Sequence, residues 1–99
     1  MKIAINNSYG GFHLSEEAVN FLKEKGINDE EELYNLIYGN VKRNDSLVIE
    51  AVEKFECNNF LSSIEIVKSP DRATDWTVNE YDGNESVIYV LDGKLHYAY

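Results

Sequence analysis

Trp76-Thr77-Val78-Asn79-Glu80-Tyr81-Asp82-Gly83-Asn84-Glu85-Ser86-Val87-Ile88-Tyr89-Val90-Leu91-Asp92-Gly93 holds two hairpin turns with a strand between them. A tight primed turn needs positive φ at both central residues, which Gly takes freely and Asp tolerates, so Asp-Gly is a strong hairpin signal. Thr74 to Tyr81 therefore reads as one strand, Ser86 to Leu91 as its return and Lys94 to Tyr99 as a third. Side chains alternate along a strand. Trp76, Val78 and Glu80 thus share one face, and Thr77, Asn79 and Tyr81 the other. Just upstream, Ile64, Ile66 and Val67 read as a further strand, stopped by Ser69-Pro70-Asp71.

The first half of the chain has a different period. Lys2 to Asn6 alternates as a short strand would. Ser15 reads as a helix N-cap, with Glu16 and Glu17 in a first turn that favours negative charge. Ala18, Val19 and Leu22 form its apolar face, with Phe21 beside it, and Lys25-Gly26 is its stop signal. Asn28 is positioned to cap a second helix, with Asp29, Glu30, Glu31 and Glu32 as its first turn. Leu33, Leu36 and Ile37 face inward there, and Gly39 ends it. Asp45 is expected to cap a third helix, in which Leu47, Val48, Ala51, Val52 and Phe55 recur at helical spacing. Cys57-Asn58-Asn59 would close this half. The expected fold is a single α+β domain spanning 1–99. Three helices pack on a mainly antiparallel sheet of about five strands, in the order β-α-α-α-β-β-β-β.

Eighteen acids oppose nine bases, for a formal net charge of −9. Such a surface repels phosphate backbones, so direct nucleic-acid binding is not expected. It suits a partner with a basic surface. Cys57 is the only cysteine, which rules out a disulfide within the chain and fits a reducing compartment. The apolar run at Ile3–Ile5 is far too short for a signal-peptide core, and no segment approaches bilayer-spanning length. The expectation is a cytoplasmic protein with no membrane contact.

The chemistry gathers around Tyr9-Gly10-Gly11-Phe12-His13-Leu14-Ser15, a glycine loop between two aromatics that leads into a helix N-terminus. Backbone N–H groups at such a terminus attract anions, and Tyr9 or Phe12 could stack on a flat ring. Glu16 and Glu17 in the same turn weaken a bare anion site, so the loop would need Arg43, or a second subunit, to hold an anionic ligand. No GxGxxG or GxxxxGK[ST] pattern is present, and no Cys/His set has zinc spacing. His13 could serve as a general base with Asp45 or Glu85 in a small hydrolase. Asp71, Asp75, Glu80, Asp82 and Glu85 crowd the hairpins, but without the spacing of a calcium loop, and they read as turn acids. Seven tyrosines are many for this length, and Tyr89, Tyr97 and Tyr99 alternate along the hairpin strands as a potential contact surface.

Taken together, Ile3-Ala4-Ile5-Asn6, Tyr9-Gly10-Gly11-Phe12, Leu14-Ser15, Arg43, Asp45, Leu47-Val48, Glu65-Ile66-Val67, Trp76, Glu80-Tyr81-Asp82-Gly83 and Glu85 resemble a family of short proteins from bacteria and their phages. Ser8 stands where that family carries Cys, and Ser86 where it often carries Trp. The resemblance implies a phage or prophage accessory protein, and it brings no activity with it.

The expected function is that of a non-catalytic binding protein of a phage or mobile element. As a counter-defence factor in the host cytoplasm, it would sequester a nucleotide-like signalling molecule or block a host protein. The ligand or partner site would comprise Tyr9, Gly10, Gly11, Phe12, His13, Arg43, Asp45, Trp76, Tyr81 and Glu85. No cofactor or metal is expected, and homo-oligomerisation is. The alternatives are a small hydrolase of a nucleotide-like substrate and an oligomeric interaction module.

Overall fold

In a computed structural model, residues 1–8, 10–39, 43–55 and 62–98 are described. They form β1 (Lys2–Asn6), α1 (Glu16–Glu24), α2 (Glu30–Ile37), α3 (Ser46–Lys54), β2 (Ile64–Lys68), β3 (Asp75–Tyr81), β4 (Asn84–Leu91) and β5 (Lys94–Tyr97). The element order and the α+β class are those read from the sequence, and every strand pair is antiparallel.

The five strands form two sheets rather than one: a β1-β2 ribbon and a three-stranded sheet ordered β3-β4-β5. The reason lies at the second edge of β1. Its odd-numbered residues pair with β2, so the main-chain groups of Ala4 and Asn6 point away from the ribbon. No third strand meets them. The Ala4 N–H donates to the Arg43 carbonyl at 2.8 Å, and the Asn6 N–H donates to the Glu85 carboxylate, also at 2.8 Å. Strand edges left open invite pairing with other chains, and here a loop and a side chain close the edge.

The ribbon lies between the helices and the second sheet, so β1 is buried on both faces from Ile3 to Asn6. Ala4 and Ile64 join Leu14, Leu22, Val48 and Ala51 in the core under the helices. Ile3, Ile5 and Val67 instead meet Val87, with Trp76 and Val78 packed alongside. A strand covered on both sides loses the polar-out alternation first read into Lys2–Asn6.

Local chemistry accounts for the helix ends. The Ser15 hydroxyl accepts from the Ala18 N–H, and Gly26 follows the C-cap of α1 with a φ of +97°. The cap of α2 is Asp29, one residue beyond the expected Asn28. Its carboxylate reaches the Glu32 N–H at 3.0 Å, which leaves Glu30, Glu31 and Glu32 in the first turn. Asp45 caps α3, accepting from the N–H groups of Leu47 and Val48. Asp82-Gly83 and Asp92-Gly93 each form a two-residue turn with positive φ at both positions, so β4 begins at Asn84 rather than Ser86. The register sets Tyr89 opposite His96 and Ile88 opposite Tyr97. Tyr89 and Tyr97 therefore lie on opposite faces of the sheet and form no single tyrosine surface. Cys57-Asn58-Asn59 and Tyr99 fall outside the described residues. No helix among the described residues is long and apolar enough to cross a membrane.

Candidate functional site

Two of the expected binding residues, Arg43 and Glu85, meet in the interior. The Arg43 Nη1 and Nη2 donate to the two oxygens of Glu85 at 2.6 and 2.7 Å. Their side chains are only 13% and 7% exposed, so this bidentate pair is shielded from water. The Arg43 Nε donates to the Gly39 carbonyl at 2.7 Å, and Nη1 also lies 3.4 Å from the Ala4 carbonyl. The guanidinium carbon sits 4.0 Å from the centre of the Phe12 ring, a cation–π contact that gains strength out of water. Arg43 is thus held on its edges by oxygen acceptors and on one face by an aromatic ring.

Asn6, which the sequence reading did not single out as a site residue, extends this network. It is fully buried. Its amide donates to the carbonyls of Ser8 (2.9 Å) and Gly83 (2.7 Å), and its oxygen accepts from the Ser63 N–H and the Ser8 hydroxyl. The signal was a polar amide ending the apolar run Ile3–Ile5, where a buried strand end leaves main-chain groups to satisfy. Buried polar networks are favourable only when each member is bonded, and this one joins β1, the α2–α3 loop and the β3–β4 turn.

The glycine loop is folded inward. Phe12 and Leu14 are core residues. The Leu14 N–H donates to Ile37, and the Gly11 carbonyl accepts from the Ser62 hydroxyl at 2.7 Å. Gly11 has a φ of +86°, which explains a glycine there, and Gly10 precedes it in an exposed turn. Tyr9 lies outside the described residues. His13 alternates outward between Phe12 and Leu14, and its ring meets Tyr38 edge-on with centroids 5.1 Å apart. Tyr38 in turn lies 4.7 Å from Tyr34. These tyrosines are 43% and 57% exposed, so a surface row His13–Tyr38–Tyr34 runs along α2.

The other expected residues are dispersed. Asp45 uses one carboxylate oxygen to cap α3. Trp76 packs on the smaller core cluster. Tyr81 is exposed near the first hairpin tip, on the sheet face opposite Glu85. The hairpin acids serve turns and ends: Glu80 accepts from the Gly83 N–H, and Asp75 from the Trp76 N–H. The amino group of Met1 lies 2.9 Å from Asp71 and holds that carboxyl below the usual carboxylate range through a hydrogen bond and its positive charge. Among the described residues, no three His, Cys, Asp or Glu side chains converge in a way that would hold a metal ion.

Comparison with known proteins adds nothing to this geometry, since the chain matches no protein family, no curated protein and no solved structure.

Proposed function

We propose that this protein is a non-catalytic binding protein whose partner is a host protein with a basic surface, in the setting of phage counter-defence. The observation that carries the reading is the exposed pair Tyr34 and Tyr38 at α2 and its C-cap, flanked by the half-buried His13 and next to the acids of that helix's first turn. Glu30 and Glu31 lie four and three residues before Tyr34, so all three fall on one side of the helix. Tyrosine faces and carboxylates side by side suit arginine and lysine side chains, which stack on the rings and pair with the acids. The net charge of −9 favours the same partner at longer range. A small anionic ligand held by Arg43 is less well supported, because Glu85 and two carbonyls engage that guanidinium. The phage setting rests on the resemblance of Asn6, Tyr9–Phe12, Arg43 and Glu80–Glu85 to short phage proteins.

The test is copurification of the tagged chain from host cells, repeated with Tyr34→Ser/Tyr38→Ser. Both tyrosines are exposed, so the variant should melt like the parent. The reading expects a defined host protein at low salt that is lost at high salt, as screened charge pairs are, and lost in the variant. Equal retention by the variant, retention that is insensitive to salt, or no retained protein would overturn it. A parallel thermal-shift screen with nucleotides would expose the small-ligand alternative as a rise in melting temperature.

A further inference from the structure

The three-stranded sheet has one face against the β1-β2 ribbon and one face outside both core clusters. The register places Thr77, Ile88 and Tyr97 in one row of the outer face, and Asp75, Val90 and Leu95 in the next. Leu95 is 73% exposed and Tyr97 59%. Toward the first hairpin the face continues through Asn79 and Ser86 to Tyr81 and Asn84. Asp75 is the only formal charge among these side chains, in a chain where 27% of residues are charged.

We infer that this outer face pairs with the same face of a second copy. The charge pattern selects the occupant. Two copies of net charge −9 repel wherever their acids oppose, and this neutral patch lets them meet without that penalty. A basic partner would gain little here, since Asp75 is the only acid on offer. The proposal is therefore independent of the α2 surface. The contact is isologous, as in most closed dimers, with Ile88 and Val90 of the middle strand at its centre and the exposed Leu95 and Tyr97 of β5 beside them. Face pairing is also favoured over edge pairing, because β5 is a four-residue edge carrying Lys94 and the other edge, β3, carries Asp75 and Glu80, and charged edges resist strand addition. Strands about 4.8 Å apart and of this length give a footprint of roughly 300 Å² per copy. With side-chain relief, the two faces together bury on the order of 1,000 Å², near the lower bound for a specific interface. The dimer is accordingly reversible.

Sedimentation velocity of the full chain across a wide concentration range tests this. The wild type should pass from monomer to dimer, and added salt should tighten the dimer by screening the repulsion between two acidic copies. This is opposite in sign to the salt response of a basic partner on α2, so the two readings fail separately. Leu95→Glu should weaken dimerisation on the order of 30-fold, because it removes an apolar contact and sets a new like charge in each acidic copy against the facing surface. Tyr97→Ser provides a second variant should Leu95→Glu misfold, and Tyr34→Glu on α2 should leave the dimer unchanged. A protein that stays monomeric throughout would overturn the inference. So would a dimer indifferent to Leu95→Glu and Tyr97→Ser, or one that loosens with salt.

Discussion

Arg43 and Glu85 lie 42 residues apart and close a fork-to-fork ion pair at 2.6 and 2.7 Å against the free edge of β1. The pair ties the helical half to the hairpin half, and it takes the place of a strand. Glu85 accepts the Asn6 N–H, and Arg43 supplies both a carbonyl and a guanidinium to Ala4. Removing one partner of a buried pair leaves an uncompensated charge, at a cost of about 3–5 kcal/mol. Glu85→Ala and Arg43→Ala should each lose about that much, a large share of the stability of a domain this size. Arg43→Ala/Glu85→Ala should lose less than the sum. Urea unfolding of the four proteins as a double-mutant cycle checks this, and additive losses would show that the residues act separately.

Gly39 has a φ of +69°, and a Cβ there would lie 2.5 Å from the Arg43 Nε. The guanidinium is pinned by Glu85 and has little room to yield. Gly26 has a φ of +97° with nothing within 4 Å of its virtual Cβ. Gly26→Ala should therefore cost only the left-handed backbone penalty, about 1–2 kcal/mol. Gly39→Ala should cost that and a further loss from the displaced ion pair. Thermal melts of the two variants decide the point, and equal destabilisation would argue against a tight Arg43 seat.

The Met1 amino group depresses the Asp71 carboxyl, and the sign of the linkage follows from that direction. A carboxyl with a lower pKa when folded stabilises the protein above its unfolded value, and the contribution fades as pH falls through the folded pKa. Asp71 is almost wholly exposed, so the effect on stability is small. A carboxyl-carbon NMR titration should place the Asp71 midpoint below that of a free aspartate. Amino-terminal acetylation should return it to the ordinary range, and an unchanged midpoint would remove the ion pair.

Features set by a few neighbouring residues were legible in the sequence. The Asp-Gly pairs marked both hairpins because their backbone demands are local, and Ser15 and Asp45 were readable as caps for the same reason. What escaped depended on partners far along the chain. The split into two sheets follows from Arg43 and Glu85 reaching β1, which no periodicity records. Phe12, Arg43 and Glu85 do meet in the fold, but Arg43 is engaged by Glu85 and buried on Phe12, and spacing cannot distinguish such a guanidinium from one that faces solvent. Asn6 carries no local sign of its role, because its partners Gly83, Ser63 and Ser8 come together only in the folded chain. Tyr34 and Tyr38 were hidden by the acids before them, although their spacing of four residues places them side by side on a helix.

The covered edge of β1 also sets an order of events. Asn6 waits for a carboxylate 79 residues further along, so β1, though made well before the hairpins, is completed only after them. Contacts that span so much chain slow folding and leave intermediates exposed. Until the hairpins emerge, the Asn6 N–H lacks its carboxylate and Arg43, whose carbonyl covers the Ala4 N–H, lacks its ion-pair partner, so this edge of an apolar strand is an incomplete template. A chain interrupted before Glu85 would carry that template without its cover, and its characteristic failure would be association with other nascent chains rather than simple unfolding.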